Sequence, residues 1–370
     1  MNVYERIRKT LDHEEPDRVP TFTQSAEPEF ILKYNKMYGR NRGAFLLTRQ
    51  LKVARNVGFD SMWMHIGAAI NNPFLKKPFI PKEYKPKDKS ITISKEGHLW
   101  KKSSDGRTWY FGGLLKTPEL IETWADFIIN CPKLPNWYYR LVKSYWDFGI
   151  RKKLLPIPTL GAPFYFTWAA IGLDRLAYIM RKYPNSLKKL MDAWTTATIE
   201  DQSQLFEHGI DMVYICDDHA QKDRAMISLK QFEEFVYPYY KRLADNANKY
   251  DAKLLLHTDG NIEQEIPLII KAGVHAIEPM EYEAGMRLKP VKEKYGDKIA
   301  LIGNVPASDA LSVGTVEDTI RITKECIRDA APGGGYILGT GADLIGSIKP
   351  QNLKAMLDTA EKYGKYPISL

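Results

Sequence analysis

Cysteine is scarce in this sequence, and long apolar runs are absent. The three cysteines, Cys131, Cys216 and Cys326, are far apart and form no CxxC pair, which argues against a disulfide framework and against a thiolate-rich metal site. No stretch of 18 or more apolar residues occurs, so no membrane span is expected. The first 18 residues are charged throughout and lack an apolar signal core. Together these absences predict a cytoplasmic protein.

The basic residues that give the net charge of +8 are spread along the chain, apart from one local run at residues 71–90. Several prolines interrupt this run, so it does not form a recognition helix. A solvated loop is its first interpretation, and a docking patch for an acidic partner protein or cofactor is the second. No nucleic-acid-binding motif accompanies the charge, so nucleic acid is not expected as a partner.

Apolar, β-prone segments recur along the chain, and helical patterns separate them. We count eight such segments, at residues 18–24, 60–66, 155–161, 211–216, 253–257, 275–279, 299–303 and 335–339. Strands that alternate with helices indicate parallel βα units, and eight units indicate a closed (β/α)₈ barrel of the TIM type. A barrel of this length fits a single domain over residues 1–370.

Two long stretches interrupt the alternation in the first half of the chain. Residues 72–115 alternate in polarity and contain Asp–Gly and Gly–Gly pairs, which predicts a small antiparallel β excursion between the second and third barrel strands. This excursion could cover the barrel mouth or only pad the surface. Residues 117–153 read as helical, and we interpret their aromatic side chains as core.

The fifth predicted strand ends in the segment His257–Thr258–Asp259–Gly260. Alternate residues of a strand point to the same side, so His257 and Asp259 can face one point beyond the strand end. Gly260 lets the chain turn tightly there. Chemistry in α/β barrels is carried by the carboxyl ends of the strands, although an ordinary strand exit with an Asp–Gly turn would give the same pattern.

Polar and aromatic side chains follow other predicted strands as well. They are Gln24 after the first, His65 at the end of the second, Phe164, Tyr165 and Trp168 after the third, Asp217 and Asp218 after the fourth, Glu278 after the sixth and Asp343 after the eighth. Structural alternatives exist: a satisfied core histidine for His65, helix capping for the two aspartates and packing for the aromatic residues. Carboxylates and imidazoles at one edge predict acid–base catalysis or a site for zinc or a similar divalent ion. No HExxH, GxSxG or GxGxxG motif is present.

Several motifs, in order along the chain, resemble the uroporphyrinogen decarboxylase superfamily. They are HEEPDRVP, ICDDHAQKDRAMISLKQFEEFVYPYYKRL, HTDGNIEQEIPLIIKAGVHAIEPME, YGDKIALIGNVPASDALSVGTVEDTI and GGGYILGTGADLIGSIKPQNLKAM. The resemblance covers nearly the whole chain and is strongest over residues 211–365. It implies a (β/α)₈ barrel, in agreement with the strand count.

The resemblance implies one of two activities, tetrapyrrole decarboxylation or corrinoid-linked methyl transfer. The decarboxylases carry an Arg-rich segment after the first strand, and the corresponding VPTFTQSAEPEF has no arginine to grip a polyanionic macrocycle. The methyltransferase branch carries a zinc site with His-x-Cys after strand five and a further Cys after strand eight. Here these positions are His257–Thr258–Asp259 and Ala342, with Asp343 next to it.

The resemblance and the missing thiolates therefore lead us to expect the methyltransferase component of an aromatic O-demethylase. It would move a methyl group from a methoxylated aromatic compound to cob(I)alamin on a separate small corrinoid protein. The alternatives are a methylcorrinoid:thiol methyltransferase of the coenzyme M type and a non-catalytic corrinoid-binding barrel. Superfamily members often pair, so a homodimer is also consistent with the resemblance.

Each role is assigned to named residues on this interpretation. The catalytic residues are His257, Asp259, Asp217 and Asp218; the metal ligands are His257, Asp259, Glu278 and Asp343; the substrate-binding residues are Phe164, Tyr165, Trp168, Gln24 and His65. An acidic or metal-bound environment suits cleavage of an O–methyl bond, because an ether oxygen leaves poorly unless it is protonated or metal-bound.

Overall fold

All eight predicted barrel strands form in the computed structural model, which describes residues 1–39, 46–66, 76–104 and 106–370. The strands are β1 (Thr21–Thr23), β2 (Ser61–His65), β6 (Leu155–Gly161), β7 (Met212–Cys216), β8 (Lys253–His257), β9 (Ala276–Glu278), β10 (Ala300–Val305) and β11 (Tyr336–Thr340). Neighbouring strands pair in parallel, and β11 pairs with β1 to close the barrel. The predicted (β/α)₈ fold is confirmed.

Helices surround the barrel between consecutive strands. They are α1 (Val3–Leu11), α2 (Pro28–Tyr38), α3 (Leu46–Val57), α4 (Pro118–Ile129), α5 (Asn136–Arg151), α6 (Pro163–Ile171), α7 (Leu173–Lys182), α8 (Pro184–Glu207), α9 (Leu229–Phe235), α10 (Tyr237–Asn248), α11 (Ile266–Ala272), α12 (Leu288–Tyr295), α13 (Val316–Ala330) and α14 (Pro350–Tyr363). The long helical pattern after β6 divides at Pro184, because proline has no N–H to donate to the preceding turn. No described helix combines the length and apolar character needed to cross a bilayer.

The barrel interior is a packed aromatic and aliphatic core. Phe22 of β1 stacks on Tyr214 of β7 with ring centroids 5.3 Å apart, and Trp63 of β2 meets Tyr214 edge-on at 5.9 Å. The strands are buried along almost their whole length. Such a filled interior leaves only the two ends of the barrel open to a ligand.

The amino-terminal end of the barrel is closed by a buried ion-pair network. Asp60 accepts from the guanidinium groups of Arg6 and Arg18 at 2.8 and 2.7 Å, and from the backbone N–H of Thr21 at 2.9 Å. Polar groups at this end of a (β/α)₈ barrel typically serve stability. The functional site is therefore expected at the opposite, carboxyl-terminal end.

The predicted excursion between the second and third barrel strands is a three-stranded antiparallel sheet of β3 (Ile91–Ile93), β4 (His98–Lys102) and β5 (Thr108–Gly113). One face packs on α6, where the Tyr110 hydroxyl donates to the Ala169 carbonyl at 3.0 Å. Of the predicted segment 72–115, residues 72–75 and residue 105 lie outside the described part of the chain. The aromatic residues of α5 divide between the core, with Tyr139 and Trp146 buried, and the surface, with Trp137 and Phe148 exposed.

Candidate active site

His257, the last residue of β8, is held by a carboxylate from the neighbouring strand. Its Nδ1 lies 2.6 Å from Oε2 of Glu278, which ends β9 directly opposite His257 in the strand register. Gln24, after β1, donates from Nε2 to Oε1 of Glu278 at 2.9 Å. All three side chains are buried. Both oxygens of Glu278 are thus occupied, and the imidazole presents Nε2 to the barrel mouth.

Two further carboxylates converge on Nε2 of His257. Oδ1 of Asp218 lies 3.5 Å away and Oδ1 of Asp259 lies 3.8 Å away. One ligating atom from each of Asp218, His257 and Asp259 lies within 4.8 Å of the other two. The loops after β7 and β8 position this group, since the Asp259 N–H donates to Oδ1 of Asp218 at 3.1 Å.

The cluster carries more negative than positive charge, and its side chains are partly shielded from solvent. Burial alone would lower the pKa of His257, but the charges of Glu278, Asp218 and Asp259 outweigh it and raise that pKa to about 10. Burial, together with the charges of Asp218 and Glu278, raises the pKa of Asp259 to about 7 against the opposing effect of His257. A divalent cation would relieve this repulsion, and an imidazole with two carboxylates is a donor set that zinc and similar ions accept. The residues therefore fit such an ion.

Asp217 does not join the cluster, although it precedes Asp218 directly. Its carboxylate is fully buried and accepts from the backbone N–H groups of Tyr165 and Phe164, the latter at 3.3 Å. These donors are in the first turn of α6, whose N-cap residue offers no side-chain bond of its own. Burial raises the pKa of Asp217 to about 7. The predicted catalytic aspartate therefore acts as a helix cap, for α6 rather than for the helix that follows it.

Asp343 and Glu278, both predicted as ligands, have other contacts. Oδ1 of Asp343 accepts from the backbone N–H and the hydroxyl of Ser25, at 2.9 and 2.7 Å. Glu278 contacts the far nitrogen of His257 rather than the open side of the cluster. The structure instead brings Asp218, predicted as catalytic only, into the three-residue group.

The predicted substrate-binding residues differ in their exposure. Phe164 exposes only 1% of its surface and belongs to the packed core. Trp168 is 8% exposed, and its indole N–H donates to the Asp218 carbonyl at 2.8 Å. Tyr165 remains partly exposed, with its ring 5.4 Å from that of Trp168. His65 is exposed at the end of β2, where Nδ1 lies 2.9 Å from the Thr159 hydroxyl, so it is not a buried core histidine.

Two residues of the site were not predicted from the sequence. The Trp63 ring lies edge-on to His257 with centroids 4.7 Å apart, and its position two residues before His65 in β2 was the available signal. Cys216 ends β7 opposite His257 in the register. Burial and the surrounding carboxylates raise the pKa of its thiol well above the usual value, and its sulfur is not among the ligating atoms that converge on Nε2 of His257.

Comparison with known proteins identifies a family and several relatives that this chain resembles. The sequence profile of the uroporphyrinogen decarboxylase (URO-D) family matches residues 150–363, more than half of the chain. A methylated-thiol–coenzyme M methyltransferase of Methanosarcina mazei is 25% identical over 241 residues, which cover 63% of this chain and 59% of that protein. A methylcobamide:CoM methyltransferase of Methanosarcina acetivorans is 25% identical over 174 residues, or 47% of this chain and 48% of that protein. The matches thus span about half of these curated relatives.

Among solved structures, a methyltransferase from Methanosarcina mazei superposes with a TM-score of 0.64 at 17% identity. The superposition covers 98% of this chain and 99% of that one. At this level of identity the likeness supports the fold alone.

Proposed function

The chain belongs to the uroporphyrinogen decarboxylase family, and from that premise we propose that it transfers a methyl group between a small substrate and the cobalt of a corrinoid carried by a separate protein. The names of the curated relatives, which include a methylcobamide and a methylated-thiol methyltransferase, support this reaction class. The observation that carries the proposal is the cluster of one imidazole and two carboxylates at the barrel mouth.

In this proposal Asp218, His257 and Asp259 hold zinc or a similar divalent ion. Bound there, the ion would supply Lewis acidity toward a heteroatom of the substrate. Glu278 keeps the Nδ1 proton of His257 in a hydrogen bond, so that Nε2 offers its lone pair to the cluster. Trp168 and the Asp259 N–H hold the loop and the carboxylate of Asp218 in place.

We further propose an oxygen-bound methyl group, and a methoxylated aromatic compound in particular, as the substrate. The donor set of Asp218, His257 and Asp259 contains nitrogen and oxygen but no thiolate. Hard donors favour activation of an oxygen over binding of a sulfur. Tyr165, partly exposed beside Trp168, offers a ring face for an aromatic substrate.

Methyl transfer to or from a thiol is the second candidate. The observation in its favour is that the names of both curated methyltransferases include coenzyme M, and one of them also includes a methylated thiol. It predicts a sulfur atom of the substrate in the place that a protein thiolate would otherwise fill. The identity of the methyl donor or acceptor therefore separates the two candidates.

The test is methylation of reduced cobalamin under anoxic conditions. The protein is mixed with cob(I)alamin and, separately, methoxybenzoates, methanol, methylamines and methylated thiols, and the conversion of the cob(I) band to methylcob(III)alamin is recorded. We expect turnover with methoxybenzoates, loss of turnover in His257→Ala, and retention in His208→Ala, a half-buried histidine at the C-terminal end of α8. Turnover with methylated thiols alone would establish the second candidate, and full activity of His257→Ala would refute the assigned site.

A further inference from the structure

The sheet β3–β5 has one face against the barrel and one face that no described element covers completely. Tyr110, on the barrel side, meets the Trp168 ring of α6 edge-on at 5.8 Å. Trp109 and Phe111 flank Tyr110 in β5 and, by the alternation of a strand, point the other way. Lys101 is paired with Trp109 in the register and places its amine 5.2 Å from the centre of the Phe111 ring. These three residues define what we call the outer face.

The outer face exposes large aromatic side chains to solvent. Trp109 and Phe111 are 44% and 51% exposed. Exposed aromatic side chains grouped in this way are typical of protein interfaces, where they form the anchors of binding.

This part of the chain also carries most of the excess positive charge. Residues 76–107 contain ten Lys and Arg but only four Asp and Glu, and this excess accounts for most of the net charge of +8 of the whole chain. Among the residues that the structure describes, Lys101 pairs with Asp88 at 3.2 Å, while Lys87 and Lys89 have no acidic partner. A surface with aromatic anchors and an excess of lysine is complementary to an acidic protein surface.

The sheet that carries the outer face contacts the candidate active site through its opposite, barrel-side face. Tyr110 contacts Trp168, and Trp168 donates to the backbone of Asp218 in the three-residue cluster. His98 of β4 lies 5.9 Å from the Tyr165 ring in the same way. A protein bound on the outer face would therefore contact the sheet that packs on α6, the helix that follows β6 at the barrel mouth.

We propose that the outer face of β3–β5, with Trp109, Phe111 and Lys101 at its centre, docks the acidic protein that carries the corrinoid. This inference rests on the proposed function for the identity of the cargo, but the docking surface is argued from charge and exposure alone. The aromatic side chains supply the contact, and the surrounding lysines attract the acidic partner and orient it.

The experiment compares protein-bound with free corrinoid. The probes are a panel of acidic corrinoid proteins loaded with cobalamin, and free cob(I)alamin. The apolar variant is Trp109→Ser with Phe111→Ser, and its control is Trp137→Ser with Phe148→Ser, two exposed aromatic residues of α5. The charge variant is Lys89→Glu with Lys101→Glu, and its control is Lys249→Glu with Lys298→Glu, which precede β8 and β10 at the far end of the barrel.

We consider a corrinoid protein that the unmodified chain methylates. For this substrate both outer-face variants should have a KM that is higher by roughly tenfold or more, because interface anchors have been lost. Their rate with free cob(I)alamin should stay at that of the unmodified chain, and the controls should behave normally with both probes. Added salt should weaken binding of the unmodified chain more than that of the charge variant.

Other results would overturn the proposal. An unchanged KM in the variants would remove the outer face as the docking site, and equal loss with free cob(I)alamin would make it a support for the active site. Loss of binding to phosphatidylglycerol vesicles, with carrier binding intact, would assign the face to a lipid surface. If the unmodified chain methylates neither probe, the proposed function fails; direct binding of the corrinoid proteins, measured by interferometry on the same variants, still decides the docking surface.

Discussion

Nδ1 of His257 lies 2.6 Å from Oε2 of Glu278, and this contact determines which imidazole nitrogen faces the barrel mouth. Because β8 and β9 pair His257 with Glu278 in register, the barrel itself sets the contact. Gln24 on the opposite side of Glu278 prevents the carboxylate from turning away. A histidine held through one nitrogen by a carboxylate is the usual arrangement of a metal-binding histidine in proteins.

Replacing Glu278 by glutamine should weaken metal binding without removing a ligand. The amide has no charge to strengthen the basicity of His257, and its NH₂ must face either Gln24 or His257, where a donor is already present. We expect the affinity for Zn²⁺ to fall roughly 10- to 100-fold. Isothermal titration of chelator-treated protein with Zn²⁺ measures this, and Glu361→Gln, an exposed residue near Arg18 and Asp60 at the opposite end of the barrel, is the control. Equal affinities of Glu278→Gln and the control would argue against the proposed ion site.

The barrel could be predicted from the sequence because each strand is a short apolar run between turn residues. The prediction placed the ends of the strands within three residues of their positions in the structure, as at residues 253–257 for β8. Parallel strands with both faces buried need continuous apolar sequence, and that pattern survives any detail of packing. The excursion was recognisable for a similar reason, since polar alternation with Gly turns is typical of an antiparallel sheet.

The site was only partly predictable, because adjacent residues at a strand end diverge in direction. Asp217 and Asp218 are the same residue type, yet the carboxylate of Asp217 caps α6 and that of Asp218 faces His257. Which of the two aspartates caps α6 depends on where the first turn of α6 lies, and the tertiary structure determines that position. Glu278 was predicted as a ligand because it has the right chemistry, and only the register with β8 places it behind the imidazole.

His275 should make the protein less stable in mild acid. Its Nδ1 accepts the backbone N–H of Leu254 at 3.1 Å, which requires the neutral ring. Burial, with Lys253 and Arg8 nearby, lowers its pKa to about 4 from the usual 6.5. The unfolded chain therefore binds the proton more tightly, and the contribution of this residue is complete above pH 6.5 and is lost as the pH falls toward 4.

The variant His275→Asn retains an acceptor near Nδ1 but cannot titrate. We expect its free energy of unfolding to match that of the unmodified protein at pH 7.5 within the cost of the altered packing. Between pH 6.5 and 4 the free energy of unfolding of the variant should decrease less than that of the unmodified protein, and the difference between the two should reach about 3 kcal/mol at pH 4. Urea unfolding followed by circular dichroism at several pH values gives both slopes, and parallel slopes would contradict the prediction.

Asp201 should have the opposite dependence on pH. Its side chain is buried in α8 and accepts the Tyr139 hydroxyl at 2.6 Å. Burial raises its pKa to about 6 from 3.8, against the lowering effect of that hydrogen bond. The folded state therefore holds the proton more tightly, so the stabilising contribution is present below pH 3.8 and is lost as the pH rises through 6. At pH 8 the folded protein contains a buried carboxylate ion.

Asp201→Asn should consequently stabilise the protein at alkaline pH. The amide oxygen can still accept from Tyr139, while the desolvated charge is gone, so we expect a gain on the order of 2 kcal/mol at pH 8. At pH 4 the carboxyl is protonated and the gain should shrink toward zero. Tyr139→Phe separates the two contributions, because it removes the hydrogen-bond donor but leaves the buried charge, and it should destabilise the protein at pH 8. A loss of stability in Asp201→Asn at pH 8 would mean that the ionised hydrogen bond to Tyr139 outweighs the cost of burying the charge.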